Sequence, residues 1–273
     1  MDKNKSEGLK MEEKVETVEV KVEDKVAIVF LNKPKAYNAF DLEMISNFAM
    51  QISSIAVDSS IRGVIISGRG KAFCAGGDIR WAANHPQGAS AALHKLAGTL
   101  HTAIVEIRRM KKPVIAAING IAAGAGFSLA LTCDFRVIEK SAVLRQAYTS
   151  NGLSIDGGGT FTLPRLVGLA KALEIAAFDE PIPADKALEW GLVTKVVEDG
   201  KSVEEALDMA KKLTNISLSS FGWAKQLLTE SFDTPLEVQL EKERKGLSTC
   251  AAHPDGKEGI QAFLEKRKPV FNK

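Results

Sequence analysis

The chain has 273 residues, 45% hydrophobic and 26% charged, an ordinary composition for a globular protein with a real core. Its net charge is +2, with Lys and Glu interspersed, which argues against nucleic acid as the main partner but allows a local patch for a phosphorylated ligand. Cys74, Cys133 and Cys250 are far apart and form no C-x-x-C pair, which excludes a disulfide framework or zinc ribbon and points to a reducing, cytoplasmic setting.

Met1 to Lys14 is charged, lacks the apolar stretch of a signal peptide, and reads as a disordered tail. From Thr17 to Leu31, apolar residues alternate in two runs separated by Glu23-Asp24, which predicts a β-hairpin. Asp41 is a good helix cap ahead of Leu42, Ile45, Phe48, Ile52 and Ile55, which recur at helical spacing. Arg62 to Gly68 reads as a buried strand, and Ser90 to Met110 as a long helix ending before Pro113. Val114 to Ile118 is the next strand, followed by a Gly/Ala turn and a helix from about Phe127. Phe135 to Ile138 and Val143 to Gln146 read as further strands. This alternation implies an α/β architecture over residues 15–194. Beyond Thr194 the strand signal stops, and helices are expected at Val203–Leu213, Ser219–Leu228, Leu236–Leu247 and Gly259–Lys266. No apolar run approaches the ~20 residues needed to cross a bilayer.

Three stretches carry chemistry. In Ser67-Gly-Arg-Gly-Lys-Ala-Phe-Cys-Ala-Gly-Gly-Asp78 a strand ends in glycines that let the backbone approach a ligand, or simply in a loop of small residues. The dinucleotide fingerprint fails, because Phe73 stands where its third glycine should. In Asn119-Gly-Ile-Ala-Ala-Gly-Ala-Gly-Phe-Ser-Leu-Ala-Leu131 a Gly/Ala turn opens a helix whose first amides lack internal partners, suited to stabilising a developing enolate. Tight core packing would give the same small residues. In Gly152-Leu-Ser-Ile-Asp156-Gly-Gly-Gly-Thr160 the aspartate is either a helix cap or a carboxylate in an apolar pocket, whose pKa would rise toward that of a general base.

In this order and at these intervals, the three stretches resemble the crotonase (enoyl-CoA hydratase/isomerase) superfamily. So do Leu31-Asn-Lys-Pro34 with Asn38-Ala39, Lys112-Pro-Val-Ile-Ala-Ala-Ile-Asn-Gly120, Ala187-Leu-Glu-Trp-Gly-Leu-Val193 and the closing run from Glu258 to Pro269. The resemblance covers residues 15–271. It implies a spiral of repeated ββα turns, a helical C-terminal trimerisation region over 195–273, a homotrimer or hexamer, and an acyl-CoA thioester substrate with no added cofactor or metal. By position, the amides of Gly77 and Ala125 would form the oxyanion hole. Lys33 and Arg80 would meet CoA phosphates, and Ala36, Ala75, Asp78 and Ile79 would line the adenine and pantetheine channel. Lys266 falls where a phosphate contact or a solvated surface role is open.

The two glutamates of the family's hydratases are replaced here by Ser128 and Tyr148. Asp156 instead stands at the position of the single aspartate of the isomerases, and His101 at that of the catalytic histidine of the dehalogenase branch. The resemblance thus implies an enoyl-CoA isomerase with Asp156 as proton carrier, and Tyr148 and His101 as second site groups. A hydratase of an unusual enoyl-CoA, or a non-catalytic binding protein on the same fold, are the other readings.

Overall fold

The computed structural model describes residues 16–272, so the tail expected at residues 1–14 lies outside the described residues. The hairpin forms as its alternation dictates. β1 (Val18–Glu23) and β2 (Val26–Leu31) pair antiparallel, and Asp24 and Lys25 between them take φ of 49° and 66°. Positive φ at both turn residues matches the twist of the flanking strands. α1 (Leu42–Val57) starts at Asp41, whose carboxylate accepts from the Met44 amide at 3.0 Å.

Three ββα turns follow. The first comprises β3 (Gly63–Gly68), β4 (Ala72–Cys74), the short α2 (Ile79–Ala83) and the long α3 (Gly88–Arg109). The second is β5 (Val114–Ile118), β6 (Ile121–Ala123) and α4 (Ala125–Thr132). The third is β7 (Phe135–Glu139), β8 (Val143–Arg145) and α5 (Gly159–Phe178). β9 (Ile182–Pro183), α6 (Ala184–Glu189), β10 (Lys195–Val197) and α7 (Ser202–Leu213) then complete the body. α8 (Leu218–Glu230), α9 (Leu236–Ala252) and α10 (Pro254–Leu264) end it.

The leading strand of each turn lies beside that of the turn before. The large sheet therefore runs β1-β2-β3-β5-β7-β10, parallel after its first pair, while the second strands build a smaller sheet, β4-β6-β8-β9. This is the expected spiral. The large sheet is covered on both faces, so its strands read as unbroken apolar runs. Ala27, Val29, Val64 and Ile66 face the main core with Phe48, Phe73 and Phe127, whereas Ile28, Ile65 and Ile115 face a second core closed by Ala206 and Ala210 of α7.

The structure departs from expectation where elements are short. β4, β6 and β9 are two or three residues long, too brief to show a period, and β6 occupies part of the presumed Gly/Ala turn, with α4 beginning at Ala125 instead of Phe127. Strands do not stop at Thr194. β10 pairs with β7, and α7 covers the same sheet, so residues up to Leu213 belong to the core. α10 starts at Pro254, five residues before the expected Gly259. Proline suits the first turn, and the His253 ring accepts from the Asp255 amide at 3.2 Å. Lys266 consequently lies beyond the helix, at φ 56°.

Lys225 of α8 ties the C-terminal helices to the body. Its buried ammonium donates to Asp134 at 2.7 Å and to the Ile107 carbonyl at 2.7 Å. Replacing it (Lys225→Met) takes the nearest cation from a buried carboxylate, leaving it Arg108 at 3.8 Å and the Val114 amide, and is expected to lower stability by about 3 kcal/mol, read from the midpoint of urea unfolding.

Candidate active site

Two backbone turns meet at the heart of the molecule. The Cys74–Gly77 turn leaves β4, and its amides are threaded against the Tyr37–Phe40 segment. Ala75 N donates to Tyr37 O at 3.0 Å, Asp78 N to Phe40 O at 2.8 Å, and Phe40 N to Gly76 O at 2.8 Å. Gly77 makes an isolated bridge with Phe40 in which its own amide makes no hydrogen bond to a backbone carbonyl among the described residues. The second turn leaves β6 through Gly124 (φ 53°), which makes Ala125 the first residue of α4, with no carbonyl four residues behind it in the helix. The turns touch. A β-carbon on Gly76 (φ 100°) would sit 3.2 Å from the Ala125 amide nitrogen, and one on Gly126 would sit 2.1 Å from the Cys74 carbonyl oxygen. Gly77 and Ala125 both border one cavity of about 360 Å³.

The third stretch supplies the acid. Asp156 does not cap α5; Gly158 (φ 78°) does, and the aspartate's backbone carbonyl accepts from Gly159 N at 3.0 Å. The carboxylate is thereby free to face the cavity, where Oδ1 accepts from the Tyr148 hydroxyl at 2.5 Å. Tyr148 in turn lies 3.3 Å from the Ser128 hydroxyl. A phenol has one proton, and it is given to the carboxylate, so Ser128 is the donor to Tyr148. Burial pushes the Tyr148 phenol far above its usual value, and the charge of Asp156 and the bond to it add to that. Ser128 and Tyr148 thus form a hydroxyl chain that ends on Asp156.

Gly77, Ala125, Tyr148, Asp156, Ala75 and Ile79 all border the cavity. The other candidates stand apart. Lys33 sits on the turn before Pro34–Ala36, outside the cavity, and its ammonium pairs with Asp41 at 2.5 Å. Burial raises the Asp41 pKa, but the Lys33 bond and the Met44 amide outweigh it and hold the carboxyl below the usual range. Ala36 lies on the same turn, and Arg80 is exposed on α2. Asp78 caps α2 by accepting from Trp81 N at 3.0 Å, so its carboxylate serves the backbone. His101 is exposed on α3 and does not border the cavity; its Nε2 accepts from Gly157 N at 3.4 Å, which steadies the aspartate loop from outside.

Sequence reasoning missed much of the wall. Leu93, Leu96, Ala97 and Leu100 of α3 border the cavity, as do Ile45, Leu153 and His94. The α3 residues recur at helical spacing, but that signal marks a buried face without saying what it faces. Asp156 is the only carboxylate among the lining residues.

The family model described as enoyl-CoA hydratase/isomerase matches residues 21–273, and the chain belongs to that family of acyl-CoA enzymes. Among curated relatives, it is 34% identical over 251 residues to a 1,2-epoxyphenylacetyl-CoA isomerase of Escherichia coli, covering 92% of this chain and 96% of that one. It is likewise 34% identical over 258 residues to a crotonyl-CoA hydratase of Syntrophomonas wolfei, covering 94% and 98%. The solved structure of an enoyl-CoA hydratase from a Polaromonas species superposes with a TM-score of 0.88 at 37% identity, covering 93% of this chain and 99% of that one. Among the described residues, no helix is long and apolar enough to cross a membrane.

Two outcomes follow from this geometry. The chain has two tyrosines, and Tyr37 is exposed. An ultraviolet titration should therefore show the Tyr148 phenolate forming only when the protein unfolds. Because only the unfolded chain releases the Tyr148 proton there, stability should fall as pH climbs above about 10. Gly126→Ala, by forcing the two turns apart, should lower stability by about 1–3 kcal/mol and weaken acyl-CoA binding measured by calorimetry.

Proposed function

We propose that the protein is an enoyl-CoA isomerase in which Asp156 alone carries the proton. The observation that supports this reading is the single carboxylate facing the cavity, held at one oxygen by Tyr148. Asp156 Oδ2 takes a proton from the acyl chain, and the electrons pass through the double bond into the thioester carbonyl to give a dienolate. The amides of Gly77 and Ala125 hold that oxygen as its charge develops. One such donor is typically worth ~2.7–4 kcal/mol, so the pair supplies a large share of the acceleration. The protonated Asp156 then returns the proton to the carbon next to the thioester, two carbons from where it was taken, and this shift between the two ends of the dienolate moves the double bond. No metal, flavin or nicotinamide enters this cycle, because the thioester is the electron sink.

Hydration in the family's two-carboxylate manner needs a second acid or base at the water, and the positions of Ser128 and Tyr148 offer only hydroxyls, one with a strongly raised pKa. The apolar lining from α3 favours an uncharged acyl group. Lys33 and Arg80 remain the proposed contacts for CoA phosphates, Lys33 by exchanging Asp41 for phosphate. A trimer or a dimer of trimers is the proposed assembly. Exposed Leu169, Leu173 and Phe178 of α5, with Leu247 and Phe263 of α9 and α10, support it as apolar surface in need of cover.

In D2O, with linear and cyclic enoyl-CoAs, the protein should place deuterium in the acyl chain without net addition of water. Asp156→Asn should cut that exchange roughly a hundredfold or more. A product heavier by one D2O would make the protein a hydratase and overturn the reading.

A further inference from the structure

Tyr148 is held at both ends by one helix. At its hydroxyl it meets Asp156, three residues before α5 begins. At its backbone, the loop that carries it is fastened to the other end of α5. Gln146 Nε2 donates to Ala176 O at 3.3 Å, and Thr149 Oγ1 donates to the same carbonyl at 2.6 Å. The densest fastening is Asp179, the residue that ends α5. Its Oδ1 accepts from Ala147 N at 2.7 Å and from Arg145 Nε at 3.3 Å, and its Oδ2 accepts from the Ser150 hydroxyl. Its backbone carbonyl takes a further bond from Arg145 Nε at 3.0 Å.

Two features make this more than a helix end. Ala147 has φ 50° and Asp179 has φ 49°, a left-handed backbone that residues with a β-carbon rarely adopt. Such conformations persist where surrounding bonds over-determine them. The Ala147 amide, whose peptide sets the direction of the next residue, points at the Asp179 carboxylate. Asp179 is also 3% exposed, so a carboxylate is sequestered among donors that all belong to the Tyr148 loop. Burial pushes its pKa up, but the bonds from Ser150 and Ala147 and the charge of Arg145 outweigh this and hold it below the usual range. The break at Gly168 (φ 77°, ψ 161°) divides α5, which lets its two ends serve the same loop.

We propose that Asp179 is a positioning residue for the proton transfer, fixing the 145–150 loop so that the Tyr148 hydroxyl bears on Asp156. It touches no substrate and acts through Tyr148. The inference rests on the reading of Asp156 as the proton carrier. One oxygen of Asp156 is engaged by Tyr148, which orients the other; loss of Asp179 lets the loop relax and leaves Asp156 free to turn.

The test uses the full-length protein with ring-13C-labelled tyrosine, where Tyr37 serves as internal reference for Tyr148. Asp179→Ala should shift the Tyr148 resonance, leave that of Tyr37 in place, and lower kcat for exchange roughly ten- to a hundredfold with little change in KM. The pH profile of kcat should shift as well. Asp179→Asn, whose amide oxygen can still accept from Ala147, should restore most of the rate and the resonance. If Asp179→Ala does not fold, Ser150→Ala, which removes one bond from the carboxylate, should give a smaller shift in the same direction. An unmoved Tyr148 resonance in a folded variant overturns the proposal, including the case where kcat falls only in step with the folded fraction. If exchange in the unsubstituted protein proves independent of Asp156, the reading of Asp156 falls, and the resonance alone decides whether Asp179 holds Tyr148.

Discussion

A side chain at residue 126 would bring its β-carbon to 2.1 Å from the Cys74 carbonyl oxygen, and the site depends on that contact being possible at all. Two ββα turns stack so that the exit of β4 and the exit of β6 lie against each other, and the only groups that fit between them are glycines. Main-chain amides are consequently the available donors at this point. They are set by the register of the smaller sheet, not by rotamers, and they need no reorganisation when charge appears on a bound oxygen. The hydrogen bonds to the Tyr37–Phe40 segment and the helical start at Ala125 both fix the two turns in place.

Around this fixed frame, side chains decide which chemistry follows. Asp156 is available because the glycines after it take over the start of α5, relieving it of the capping duty that an aspartate in that place usually has. Ser128 and Tyr148 come from α4 and the loop after β8, yet they converge on the same carboxylate. The tyrosine is the pivotal member. Buried and facing a negative charge, it keeps its proton, so it acts as a fixed donor and not as a second base.

The large sheet was legible because its strands are apolar on both faces, and the hairpin and α1 because alternation and the Asp41 cap are strong local signals. The second strands were not, since two or three residues of Ala and Ile carry no period. Of the site, Gly77, Ala125 and Asp156 were found through the family pattern, and the structure brings them to one cavity. Local rules alone leave Asp156 open between a cap and a pocket carboxylate, because they do not weigh the three following glycines. The polar candidates fared differently. Asp78 and Lys33 have their charges engaged by a helix start and by Asp41, partners that only the folded backbone reveals. Nothing local in the sequence marks Asp179, whose donors lie some thirty residues upstream.

The covering of the large sheet's outer face by α7 bears on how the protein is made. Ile28, Ile65 and Ile115 wait for Ala206 and Ala210, which leave the ribosome long after them, and β7 keeps an open edge until β10 arrives. A nascent chain that has already built both glycine turns thus still presents an apolar sheet face and unpaired strand groups to its surroundings. Such an intermediate invites association with its own kind. The two turns that frame the cavity are thus made before the elements that cover the sheet, so the cover of its outer face comes last in the chain.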